Sequence, residues 1–389
     1  MIFDKYITRY EKELRNSIIP FWEKYGIDPA GGYNNCLDRE GRVYDTEKHM
    51  WIQWRCVYTF SVLYTSEFSK PQYLEYAKQG ADFLMRHGKN SSGNYYFALN
   101  KRGEPSTAPY SIYSDCFAAM GCAALYRASG IQKYADESRR CMTQYIERIP
   151  NPKGKWDKSE NGRTKRLTLG HYMILANLGQ VLNECLGTTE YERHVRSACT
   201  KVLDIFWNPE LEILFENVNT DNTFDLDSTE GRHINPGHGL EALWFIMQYA
   251  EKTKDSGLIE KCVRYTQKML SFGWDKKYGG LYYFLDACGR PQVELQWDRK
   301  LWWVHNEAAL AALYAFHLTH SRIFLDWFKK TDSWMWKHFP DKNYGEWYAY
   351  LNRRGEAVSS LKAGKWKCFF HLPRYLLTAI ELMKKERDG

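Results

Sequence analysis

A short signature recurs along the chain at intervals of about 60 to 66 residues, the mark of an array of like units. It reads as glycine, then alternating aromatics, then an Asp/Asn-x-x-Gly turn. Four copies are clear: GGYNNCLDREGRV at 31–43, SGNYYFALNKRGEP at 92–105, YGGLYYFLDACGRP at 278–291 and YGEWYAYLNRRGEA at 344–357. Two degenerate copies, GKWDKSENGRT from 154 and ILFENVNTDNT from 213, fill the gap. Alternation with period two suits a strand and Asn/Asp with Gly suits a tight turn, so each copy predicts a short β-hairpin. Six such units account for nearly all 389 residues, which predicts a single domain over 1–389.

Between the signatures, apolar residues fall at i, i+3, i+4 and i+7, the period of an α-helix. Each interval holds two helical stretches, as in DCFAAMGCAALYRASG (115–130) and QKYADESRRCMTQYIERI (132–149). The first kind is apolar or small all round and predicts burial on every side; the second is charged along one face. The buried helices are expected to start near residues 50, 114, 170, 236, 306 and 373, each followed by an outer one. The result is an all-α fold, a closed (α/α)6 barrel of six helical hairpins with short β-hairpins in the linking loops. An open solenoid shares this local pattern, but no polar capping repeat is evident.

Composition narrows the partners. The net charge of +7 comes without a long Lys/Arg run, so nothing favours nucleic acid. No stretch is long and apolar enough for a membrane span. Ten cysteines are scattered singly with no C-x-x-C, which argues against a zinc ribbon or a thioredoxin-like motif. With an N-terminus that lacks an apolar signal segment, they lead to the expectation of a cytoplasmic protein. Aromatic residues reach 16%, including 15 Trp, and their flat faces suit either a core or the apolar faces of sugar rings.

Rotation of the repeats would gather the inner-helix N-termini on one rim, where unpaired N–H groups favour negative charge. In EGRHINPGHGLEALWF, Asn235 is the expected N-cap and Pro236 the first helical residue. His238 and Glu241 then share a face, and the helix terminus biases His238 toward its neutral form. His371 precedes Pro373 at another such opening, with Arg374 just inside. In KLWWVHNEAALAALYAF, Trp302 and Trp303 lead into His305, with Asn306 as the expected N-cap and Glu307 in the first turn. Trp51, Trp54 and Arg55 open the first inner helix, Ser114 and Asp115 the second, and His171 the third. A buried Arg55 needs anionic company: either it pairs with Glu241 or Glu307, or it awaits a ligand oxygen. Singly, each of these residues reads equally well as a cap or a packing group. Together they predict a carbohydrate pocket in which two imidazoles move a proton. The spacing is not HExxH, so no metal is expected.

The stretches GGYNNCLDREGRVYDTEKHMWIQWR, SIYSDCFAAMGCAALYRASG, NPGHGLEALWF, KLWWVHNEA and GEWYAYLNRRGE through FHLPR, spanning 31 to 374, resemble in order the N-acylglucosamine 2-epimerase family. The resemblance implies an (α/α)6 barrel and an isomerase of amino-sugar metabolism that interconverts N-acetyl-D-glucosamine and N-acetyl-D-mannosamine. It implies His238 and His371 as the catalytic pair, supported by Arg55, Glu241, Glu307 and Arg374. Trp51, Trp302, Trp303 and His171 are expected to line the sugar. It further implies a homodimer and chemistry that requires no metal or redox cofactor. Some members use ATP as an activator without consuming it; no glycine-rich loop or GxxxxGK occurs here, so nucleotide dependence stays open. Where the family often has QGR this chain has QWR, which leaves open how large a sugar substituent fits. The alternatives are glucose–mannose 2-epimerisation, mannose–fructose isomerisation, an inverting glycoside hydrolase using Asp115, Glu241 or Glu307, and a non-catalytic binding protein.

Overall fold

The structure is a computed structural model that describes residues 2–156 and 165–388. The chain runs through α1 (Asp4–Glu13) and, after a π turn, α2 (Ile19–Tyr25). Inner and outer helices then alternate. The inner ones are α3 (Met50–Tyr64), α5 (Tyr113–Ser129), α7 (Leu169–Leu186), α9 (Pro236–Thr253), α11 (Trp302–Thr319) and α13 (His371–Asp388). Between them lie the outer helices α4 (Pro71–His87), α6 (Gln132–Arg148), α8 (Glu192–Asp204), α10 (Ser256–Gly273) and α12 (Arg322–His338). Among the described residues no helix is long and apolar enough to cross a membrane.

The inner helices are buried almost all round, as their lack of a polar stripe dictates; every residue of α11 from Trp302 to Ala315 is buried. Each packs on the next, α3 on α5 and so on to α13. The ring closes between the last and first: Thr59 Oγ1 donates to the Phe369 carbonyl at 2.6 Å, and Lys384 pairs with Glu67 at 2.7 Å. The expected order, each inner helix followed by its outer partner, fails at the end, because the described chain ends with α13. The N-terminal α1 and α2 take the sixth outer position instead. Arg9 and Tyr10 both bond Asp332 of α12 at 2.6 Å, and Trp22 Nε1 donates to Glu346 at 2.7 Å.

The turn signatures share one construction. The Oδ1 of Asp38, Asn100, Asp286 and Asn352 each accepts two backbone N–H groups from the residues that follow. The closing glycines, Gly41, Gly103, Gly289 and Gly355, all have positive φ. In the copy from 213, Asn222 takes the glycine's place at φ 67°. Part of the copy from 154 lies outside the described residues. The expected local hairpin forms at Ala98–Leu99 with Pro105–Thr107. Single local bridges also close the signatures at Leu37–Val43 and Leu351–Ala357, while other pairing runs between repeats, where a strand just ahead of an inner helix pairs with the following signature. Lys48–His49 pairs with Ala98–Leu99, Arg166–Thr168 with Asn217–Asn219, His233–Ile234 with Leu285–Asp286, and Lys300–Leu301 with Tyr350–Leu351. Each pair ties a helix start to its neighbour and so fixes the rim.

One helix start differs from expectation. α11 begins at Trp302, directly after the paired Leu301, so Asn306 lies inside the helix, fully buried, rather than at its cap.

Candidate active site

A cavity of about 1050 Å³ opens at the rim where the inner helices begin. Trp51, Arg55, His171, His238, Glu241, Trp302, Trp303, His371 and Arg374 all line it. Glu307 lies fully buried just behind, as a partner of His371 and Arg374.

His238 stands in the first turn of α9. Asn235 caps that turn as expected, its side chain accepting from Gly237 N at 3.1 Å and His238 N at 3.3 Å. The imidazole Nδ1 lies 3.0 Å from both carboxylate oxygens of Glu216. Burial acts to lower the His238 pKa, but Glu216, helped by the more distant Glu241 and Glu307, raises it above the usual histidine value. The expected bias of His238 toward its neutral form is therefore reversed in direction: a carboxylate in contact outweighs the partial charge of the helix end.

His371 has the opposite setting. Its Nδ1–H donates to Glu307 Oε1 at 2.7 Å, and Glu307 Oε2 accepts from Trp244 Nε1 at 2.7 Å. Arg374 donates to Glu241 at 2.6 Å and to Glu307 at 2.7 Å. Burial, with the charges of Arg374 and Arg55 nearby, pushes the His371 pKa well below the usual range, so the ring is neutral. Trp303 joins the two histidines, its ring 5.3 Å from His238 and 5.7 Å from His371.

Among the described residues, Arg55 forms no ion pair with Glu241 or Glu307. It is 7% exposed, and no hydrogen bond joins its guanidinium to another described residue. It rests over the rings of Trp51, Phe117 and Phe370 at 4.5, 4.0 and 4.6 Å. His171 faces the cavity next to Tyr113, and burial pushes its pKa down to about 4. Trp302 is almost wholly buried and meets His371 edge-on, so it braces the ring more than it lines a sugar.

Other rim residues point elsewhere. His305 donates from Nδ1 to the Leu301 carbonyl at 2.7 Å, accepts at Nε2 from Leu281 N at 2.9 Å, and stacks on Trp334. It holds two loops and is outside the site. The Asp115 carboxylate binds Arg148 and the Tyr95 N–H, which removes it as a hydrolytic acid. Trp54 is buried edge-on against Tyr95 and does not line the cavity, so the QWR departure does not narrow the sugar site. Glu241, Glu307 and His371 place ligand atoms within 4.8 Å of one another, the composition of a metal site. Arg374 already supplies positive charge to both of these carboxylates.

Two functional candidates escaped the sequence reading. Glu216 falls three residues before the turn residue Asn219, where the other signatures carry Asn35, Phe97, Tyr283 and Ala349; a carboxylate among these was the available signal. Trp366, 58% exposed at the mouth and packed edge-on against Trp51, lies in a loop with no periodic pattern.

The sequence profile of the N-acylglucosamine 2-epimerase family matches residues 31–373. The chain is 32% identical to an N-acylglucosamine 2-epimerase of Mus musculus over 383 residues, covering 96% of this chain and 91% of that protein. Among solved structures, a cellobiose 2-epimerase from Bacillus thermoamylovorans B4167 superposes with a TM-score of 0.83 at 20% identity, covering 97% of this chain and 99% of that one. A D-mannose isomerase does so with a TM-score of 0.83 at 17% identity, covering 96% and 97%. These structures share the barrel.

Proposed function

Since the chain belongs to the N-acylglucosamine 2-epimerase family and is a carbohydrate 2-epimerase, we propose that it interconverts N-acetyl-D-glucosamine and N-acetyl-D-mannosamine by moving the C2 proton between His238 and His371. The observation that carries this reading is the pair of imidazoles on one tryptophan, one beside a lone carboxylate and one held neutral.

The chemistry follows from the groups present. In the ring-opened aldehyde the C2–H is acidified by the adjacent carbonyl. One imidazole Nε2 takes the proton; the C–H electron pair becomes the C1–C2 double bond, and the carbonyl π pair moves to O1. Arg55, whose guanidinium is unpartnered, receives that oxygen, and a preorganised cation at developing charge is worth about 10²–10³-fold in rate. The other imidazole returns a proton to the opposite face of C2, and the double bond closes back to the aldehyde with inversion. Arg374 holds Glu241 and Glu307 in place. Imidazole and guanidinium cover each step, so neither a metal nor a redox cofactor is part of this reading. ATP, if it acts, acts as an activator outside the proton chemistry. A cytoplasmic homodimer of 46.0 kDa chains completes the proposal.

Incubation with N-acetylmannosamine and, separately, mannose should give N-acetylglucosamine from the first and little turnover of the second. Fructose from mannose would instead favour aldose–ketose isomerisation. In heavy water the epimerised product should carry deuterium at C2, and His238→Ala and His371→Ala should each abolish epimerisation.

A further inference from the structure

Both imidazoles engage a carboxylate through Nδ1, which leaves both Nε2 atoms for the sugar. The charge around them is unequal. Glu241 and Glu307 share Arg374, with Arg55 close enough to act on the same histidine, so His371 needs no proton to balance its surroundings. The Glu216 carboxylate is largely enclosed, its side chain 12% exposed, and among the described residues it meets no arginine or lysine; the side-chain hydrogen bond to it is that of His238. A buried carboxylate without a cation is costly, so the proton that balances Glu216 belongs on His238.

We propose that Glu216 is a positioning residue that makes His238 the proton donor of the resting enzyme and leaves His371 as its base. The proposal rests on the two-histidine reading above and adds a direction to it. Glu216, just ahead of the strand Asn217–Asn219, is fixed to the start of α7, because its carbonyl accepts from Leu169 N at 2.9 Å. Among the described residues, the charged and titratable groups that act on His238 or on Glu216 are Glu241 on the His238 helix, Glu307 on α11, His371 on α13, His171 on α7, His233 just before α9, Tyr113 at the start of α5 and Tyr283. Among the described residues none of these groups hydrogen-bonds the His238 ring; Glu216 does. After one turnover His371 carries the proton taken from C2 and His238 is neutral. Before the next turnover in the same direction, His371 must release its proton to solvent and His238 regain one.

The test is the pH dependence of kcat/KM in wild type, Glu216→Gln and Glu216→Asp, with the His238 imidazole followed by NMR in each. Because Glu216 raises the pKa, the donor form persists below that value and is lost as pH rises through it. Glutamine can still accept the Nδ1–H bond but carries no charge. Glu216→Gln should therefore move the alkaline limb and the His238 titration down by about 1 pH unit or more. It should lower kcat at neutral pH by about 10²-fold with KM little changed. Glu216→Asp should restore the limb toward wild type. An unmoved alkaline limb with an unmoved His238 titration in folded Glu216→Gln would overturn the proposal. If folded His238→Ala still epimerises at C2, the two-histidine reading falls instead, whatever Glu216 does.

Discussion

Arg55 is held among three aromatic rings with no anion in contact, an arrangement that folding alone disfavours. Burial lowers its pKa, so the site carries an unspent electrostatic strain. Replacing it with methionine, a near match in volume, should leave the melting temperature unchanged or raise it, while kcat falls by about 10²–10³-fold. A fall in melting temperature with kcat retained would mark Arg55 as structural. At this scale the sequence was most readable where chemistry and helix starts coincide. His238, Glu241, His371 and Arg374 all lie within a turn or so of a helix start marked by Pro or a cap. Glu216 left only a faint signal, a carboxylate at a signature position that is uncharged in the other copies; its role was hidden because its partner stands 22 residues away and only the fold brings them together. His305 was misplaced for a related reason. Four residues of extra helix ahead of Asn306 rotate the neighbouring side chains, and a position that read as rim became a core hydrogen-bonding post.

At the scale of elements, the recurring Asp/Asn-x-x-Gly turn was legible because its chemistry is local: one side-chain oxygen and one left-handed residue. Gly355 has φ 90°, and a Cβ there would meet His338 at 2.3 Å. Gly355→Ala should thus cost about 1–2 kcal/mol in urea unfolding, whereas Asn222→Gly, already left-handed, should cost nothing measurable. Equal losses at the two sites would contradict the shared construction. The strand pairs between repeats were not legible. They are two or three residues long, and nothing within one segment names its partner in the next.

For the whole molecule, period and burial pattern indicated six repeats, but not which helix completes the ring. That closure depends on polar contacts over some 320 residues of chain, such as Arg9 and Tyr10 on the buried Asp332. Arg9→Ala removes the cation that pairs with the buried Asp332 and should lower stability by about 1–3 kcal/mol, read as an earlier urea midpoint. An unchanged midpoint would show that apolar packing, such as Phe3 on Phe328, closes the ring unaided.

The circular arrangement has a kinetic corollary. Arg55 comes from α3, Glu216 from the loop before α9, Glu307 from α11 and His371 from α13, so no arc of the ring owns the site. The sugar-binding floor exists only once the final helix docks beside α3, a contact between residues hundreds of positions apart. During refolding from denaturant, the far-ultraviolet helical signal should recover first, because its contacts are local, and turnover should lag behind it. The enzyme is in that sense its own clock for the last event of its assembly.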